Sequence, residues 1–175
     1  MQFARSFLIS AMLLVAISAS AADSFTVSEF SFEKPSDWKK VQPASSMRKA
    51  QLAIPSAAGA DDGEVVFFYF GKGQGGGIRA NLDRWIGQFK EPKDQLGIEE
   101  ESKTVNGTKV TYLSAKGTLM TGRPFGPKTP KADSAMVAAI LEGKEGSVFI
   151  KTTGPAKTVI GARDTLKAMI EKALK

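Results

Sequence analysis

A chain of 175 residues with 24 lysines and arginines, 18 acids and neither cysteine nor histidine has room for one hydrophobic core. It has no thiol nucleophile, no imidazole base and no ordinary zinc ligand. Its formal charge is +6, yet the cations are dispersed, which excludes a nucleic-acid stripe and a polybasic membrane segment.

The chain opens with Arg5 and then FLISAMLLVAIS, an apolar run too short to span a bilayer, which ends in small residues around Ala19-Ser20-Ala21. This predicts a signal peptide over residues 1–21, cleaved after Ala21, and one globular α+β domain over residues 22–175. No cysteine follows to carry a lipid and no later segment is apolar for long enough to cross a membrane. A periplasmic or secreted protein is therefore expected, stabilised by packing without disulfides.

Phe25 to Phe32 (FTVSEFSF) alternates and reads as a first strand, stopped by the turn Lys34-Pro35-Ser36-Asp37. Two short antiparallel strands follow, one opened by Trp38 and one over Met47 to Ile54, with Ala50, Leu52 and Ile54 on one face. In the loop after them, Asp61, Asp62 and Glu64 lack the spacing of a calcium-binding loop, so no metal site is assigned.

Val65 to Phe70 (VVFFYF) is continuously β-branched or aromatic, as expected of a central strand covered on both faces. A loop with five glycines comes next. Then Ile78, Leu82, Trp85, Ile86 and Phe89 recur at helical spacing and define one apolar stripe that must lie on a sheet. Gly71, Gly73 and Gly76 match G-x-G-x-x-G between a strand and a helix, but the next pattern is a hairpin and no acid closes a parallel strand, so nucleotide binding is not supported. Two readings stay open. Backbone N–H groups of Gly73, Gly75 and Gly76, with Lys72, Arg79 or Arg84, hold an anion or partner, or the glycines merely let the chain turn tightly.

Beyond Pro92 and Gly97, IEEESKTV pairs with KVTYLSAKGTLM through Asn106-Gly107, the strongest short hairpin signal. Glu99, Glu100 and Glu101 cannot all face one side and mark an exposed edge. Gly122 to Lys131 (GRPFGPKTPK) reads as a stiff loop, in which Arg123 and Phe125 are the candidates for an exposed cation–aromatic contact. Ser134 to Leu141 and Ser147 to Thr153 form a second hairpin around Glu142 to Gly146. One helix then starts at Gly154-Pro155 and buries Val159, Leu166, Met169, Ile170, Ala173 and Leu174.

No catalytic residues are assigned and no cofactor is implied. There is no G-x-S-x-G, and the single S-x-x-K spacing, Ser36 to Lys39, falls in a turn.

The order F-x-x-P-x-x-W (Phe32, Pro35, Trp38), a middle helix, and a closing strand running through G-P into a C-terminal helix resembles the PsbP-like family. FGKGQGG followed by NLDRWIGQF is similar to a group of uncharacterised exported bacterial proteins within that pattern. The resemblance implies a central antiparallel sheet with helices on its faces, an α/β/α sandwich, and a non-catalytic accessory or assembly role. The expected function is an exported binding or accessory protein of the cell envelope, with an envelope protein, a polymer, a small anion or an anionic surface as partner and no nucleic acid. The alternatives are an atypical hydrolase working with Ser, Lys or acidic groups, and a structural envelope component.

Overall fold

The computed structural model describes residues 23–56, 61–122 and 126–175. The expected signal peptide, and Arg123 and Phe125, lie outside these residues. Strands β1 (Ser24–Val27) and β2 (Phe30–Glu33) form a hairpin. The remaining strands are β3 (Lys39–Lys40), β4 (Arg48–Ile54), β5 (Gly63–Tyr69), β6 (Glu99–Val105), β7 (Thr108–Thr121), β8 (Thr129–Gly143) and β9 (Gly146–Pro155). They make one sheet in the order β3-β4-β5-β9-β8-β7-β6, antiparallel at every pairing. Helix α1 (Ile78–Ile86) lies between β5 and β6 in the chain, and α2 (Ala156–Gly161) and α3 (Arg163–Ala173) close it. The fold is α+β, with few helices on a mostly antiparallel sheet.

Strand parity explains why both faces of the sheet are buried. On β8, Val137, Ala139 and Leu141 join one core with Val65, Phe67, Val110 and Ile150, and it is covered by the β1–β2 hairpin, α2 and α3. Met136, Ala138 and Ile140 point the other way and join Leu82, Trp85, Ile86, Phe89 and Phe149 beneath α1. The hairpin is tied down by rings: Phe25 and Phe32 each stand 5.0 Å from Phe67. Burying the four fully covered residues of the α1 stripe contributes roughly 6–12 kcal/mol, as an upper bound. That is enough for α1 to hold the sheet face without a side-chain cap at Gly77.

The Asn106-Gly107 turn forms as expected, with φ of 46° and 83°. Other expectations need correction. FTVSEFSF is two strands, because Ser28 takes φ 55° and the chain folds back so that Val27 pairs with Phe30. The alternation is the same on both arms, so it does not reveal the reversal. Of the apolar run Val65 to Phe70, the strand ends at Tyr69, and Phe70 is 42% exposed. Residues 129–131, expected in a loop, belong to β8, with Pro130 opposite Met120. β9 reaches only as far as Ser134, so the missing N–H of Pro130 faces no strand and is tolerated. The turn from β8 to β9 is shorter than expected, since Gly143 already pairs with Gly146. The last helix is two. Pro155 still pairs with Ser134 and precedes α2, and Gly161 and Ala162 interrupt the helix before α3. The expected stripe nevertheless packs inward, fully at Val159, Leu166, Met169, Ile170 and Leu174 and partly at Ala173.

Candidate functional site

The glycine corner joins β5 to α1 at the end of the sheet where β8 turns into β9. A Cβ on Gly146 would stand 2.9 Å from the Gly71 carbonyl oxygen and 3.0 Å from Lys72 Cα, so the two turns touch backbone to backbone. The Tyr69 hydroxyl donates to the Glu145 carbonyl at 2.7 Å across the same contact. Gly75 has φ 92°, and a Cβ there would lie 2.5 Å from the Phe149 ring. The chain passes so closely over that ring that only glycine fits.

Asn81 fixes this path. It is 2% exposed, and its Nδ2 donates to the carbonyls of Gly75 and Gly77, both at 2.9 Å. The Arg84 guanidinium donates in turn to Asn81 Oδ1. Sequence reasoning missed Asn81, although a short amide inside an apolar helical stripe, four residues after a glycine, signals a side chain bonded back to the loop.

The predicted residues do not converge on one point. Lys72, Gly73 and Gly76 are exposed, and Gly75 is half-buried against Phe149. Arg79 turns away from the loop to Asp83 and Glu100, each at 2.9 Å, and these hydrogen bonds, Glu100 first, raise its guanidinium further above its ordinary value. Arg84 faces the opposite way, towards Asn81 and the part of the sheet near Lys151.

Around Lys151 lies the polar part of this face. Lys151 shares a side of β9 with Phe149, pairs in register with Val66 and Ala138, and donates to Gln88 Oε1 at 3.2 Å. Burial pushes its ammonium below the usual lysine range, Glu64 opposes that shift, and Arg48 and Arg84 add to it. Glu64 accepts from Arg48 at 2.7 Å and from Gln51 at 2.8 Å. One carboxylate thus serves a neighbourhood of three cations. The signal for Lys151 was present in SVFIKTT, where alternation puts a lysine on the same side as Phe149.

Two exposed apolar side chains flank this area. Arg48 pairs with Phe68, so Met47, one residue before it, and Phe70, two residues after Phe68, leave the sheet at the same end. Met47 is 60% exposed, and the Phe70 ring stacks on Phe68 at 6.2 Å. Among the described residues no group of acids stands close enough to hold a metal, and no helix is long and apolar enough to cross a membrane.

No family model and no curated protein matches the chain. It is similar to the crystal structure of PA94, a protein of unknown function from Pseudomonas aeruginosa, with 12% identity, 88% of this chain and 96% of that one covered, and a TM-score of 0.46. It is also similar to the solution structure of CyanoP, the cyanobacterial PsbP of Synechocystis sp. PCC 6803, with 12% identity, coverages of 93% and 94%, and a TM-score of 0.48. The second is a PsbP, the family whose motif order the sequence resembles.

Proposed function

We propose that this chain is an exported, non-catalytic accessory protein of the cell envelope, a PsbP-like α/β/α sandwich that docks on a negatively charged partner through its glycine corner. The observation that carries the reading is the exposure of Met47 and Phe70 at one end of the sheet, beside the loop that holds Lys72. Large apolar side chains left in water next to cations suit an interface better than a solvated surface. Arg48 and Arg84 extend the positive field on the same side, while Asn81 and Phe149 keep the loop in a fixed shape. A rigid corner suits a docking element because little order is lost on binding. The signal-peptide pattern over residues 1–21 and the lack of histidine and cysteine support export and an accessory role.

The test is a cross-linked capture from an envelope fraction with the mature chain and with the Met47→Ser/Phe70→Ser double variant. Met47 is 60% and Phe70 42% exposed, and circular dichroism with thermal unfolding checks that the variant is folded. The expected result is loss of the captured partner in the variant, and in Lys72→Glu. An unchanged set of captured partners in both would refute the reading.

A further inference from the structure

On the face of the sheet opposite α1, a cavity of about 250 Å³ opens between the β6–β7 edge and α3. Tyr112, Ser114 and Val137 line it from the sheet, Glu99 and Glu101 from the edge, and Arg163 and Lys167 from the helix. Glu99 and Glu101 are two residues apart on a strand, so they share a face at a spacing of roughly 6.6 Å. Arg163 and Lys167 are four apart on a helix, one turn, about 6 Å. The spacings match, and two parallel ion pairs result: Glu99 with Arg163 at 2.8 Å and Glu101 with Lys167 at 2.6 Å. Acids therefore run along one side of the mouth and cations along the other.

We propose that this cavity binds a small zwitterion, an α-amino acid with an apolar side chain. Its ammonium set against Glu99 and Glu101, and its carboxylate against Arg163 and Lys167, would lie antiparallel to both ion pairs, so each end is attracted. A singly charged molecule meets repulsion from one side of the mouth as it gains attraction from the other. The carboxylates are open enough to exchange partners, since the Glu99 side chain is 70% exposed and that of Glu101 49%. Val137 and the Tyr112 ring supply an apolar wall for the ligand side chain. Tyr112 also carries a buried hydroxyl without a hydrogen-bond partner among the described residues, and Lys167 and Lys103, 4.9 and 5.5 Å from its ring centroid, hold the ring in place beside the mouth. The site lies on the other face from the glycine corner and stands or falls independently of docking there.

The experiment titrates the isotope-labelled mature chain with L-leucine, N-acetyl-L-leucine and L-leucinamide, following backbone amide shifts. Saturable shifts at Ser114, Val137 and Arg163 with L-leucine, absent with both singly charged derivatives, are expected. Glu99→Gln and Arg163→Gln, each at an exposed ion pair, should weaken L-leucine binding about tenfold while leaving the fold intact. Equal response to all three compounds, no saturable response to any, or shifts confined to other residues would each overturn the proposal.

Discussion

Replacing Gly75 by alanine tests whether the glycine corner is seated on the core or simply passes over it. Two costs apply. Holding an alanine at φ 92° costs about 1–2 kcal/mol, as for other left-handed residues. The new Cβ would also stand 2.5 and 2.8 Å from two carbons of the Phe149 ring, which is 2% exposed and cannot move freely between Trp85 at 6.5 Å and Phe70 at 5.9 Å. Overpacking of that kind costs about 1–3 kcal/mol. Alanine narrows the unfolded ensemble, which returns about 0.4–1 kcal/mol. The net loss is therefore about 2–4 kcal/mol, or roughly 5–15 °C in midpoint for a chain of this size. Gly73 is the control: its φ is 70°, but nothing lies within 4 Å of an added Cβ, so Gly73→Ala should cost only about 1 kcal/mol. Thermal and urea unfolding of both variants decide the matter. Phe149→Leu in the Gly75→Ala background should cost less than it does alone, by about 1 kcal/mol. Equal losses at the two glycines, or no coupling to Phe149, would refute the seating of the corner.

Asn81→Ala removes two hydrogen bonds to loop carbonyls and should lower stability by about 2–3 kcal/mol, with faster amide exchange over residues 72–77; unaltered exchange there would show that the loop keeps its own shape. Lys151→Met should leave the unfolding free energy unchanged or raise it by about 1 kcal/mol, because it exchanges a poorly solvated charge for an apolar side chain of similar length. The pH dependence checks the same point. The folded ammonium titrates below the ordinary lysine value of 10.5, so over the interval between the two the unfolded chain binds more protons and the wild type gains stability as pH rises. The methionine variant should lack that rise, and parallel pH profiles would refute the shift. Tyr112→Phe deletes a buried hydroxyl with no hydrogen-bond partner among the described residues and should stabilise the chain by about 1 kcal/mol; a fall in midpoint would mean that the hydroxyl is bonded in solution.

What was legible in the sequence was set by local pattern. VVFFY, the stripe Leu82, Trp85, Ile86 and Phe89, and Asn106-Gly107 each fix an element through its own residues, and each forms. The reversal at Ser28 was not legible, because the apolar pattern continues through it, and at the break before α3 only Gly161, a poor helix former, interrupts an otherwise continuous stripe. At the candidate site the limit was different. The glycine corner was located from sequence, but Arg79 and Arg84 sit on diverging sides of one short helix, and their partners are Glu100 and Asn81. Helical spacing gives the face a side chain occupies, not the group that meets it there.

The three glutamates of β6 show how far that distinction reaches. Parity alone says that Glu100 must face away from Glu99 and Glu101, and the sequence takes this only as an exposed edge. In the fold each face brings its own cover to the edge: Arg79 of α1 meets Glu100 on one side, and Arg163 and Lys167 of α3 meet Glu99 and Glu101 on the other. All are surface pairs, screened by solvent, so they cannot be what holds the helices down; the buried stripes do that. The pairs agree with the register that the Asn106-Gly107 turn sets, since a shift of one residue on β6 would put two acids under α1 and one under α3 and leave a cation unmatched on the α3 side. The same arithmetic that orients the edge places two acids opposite two cations beside Tyr112, so the zwitterion cavity follows from how the edge strand is kept in step with the helices on either face.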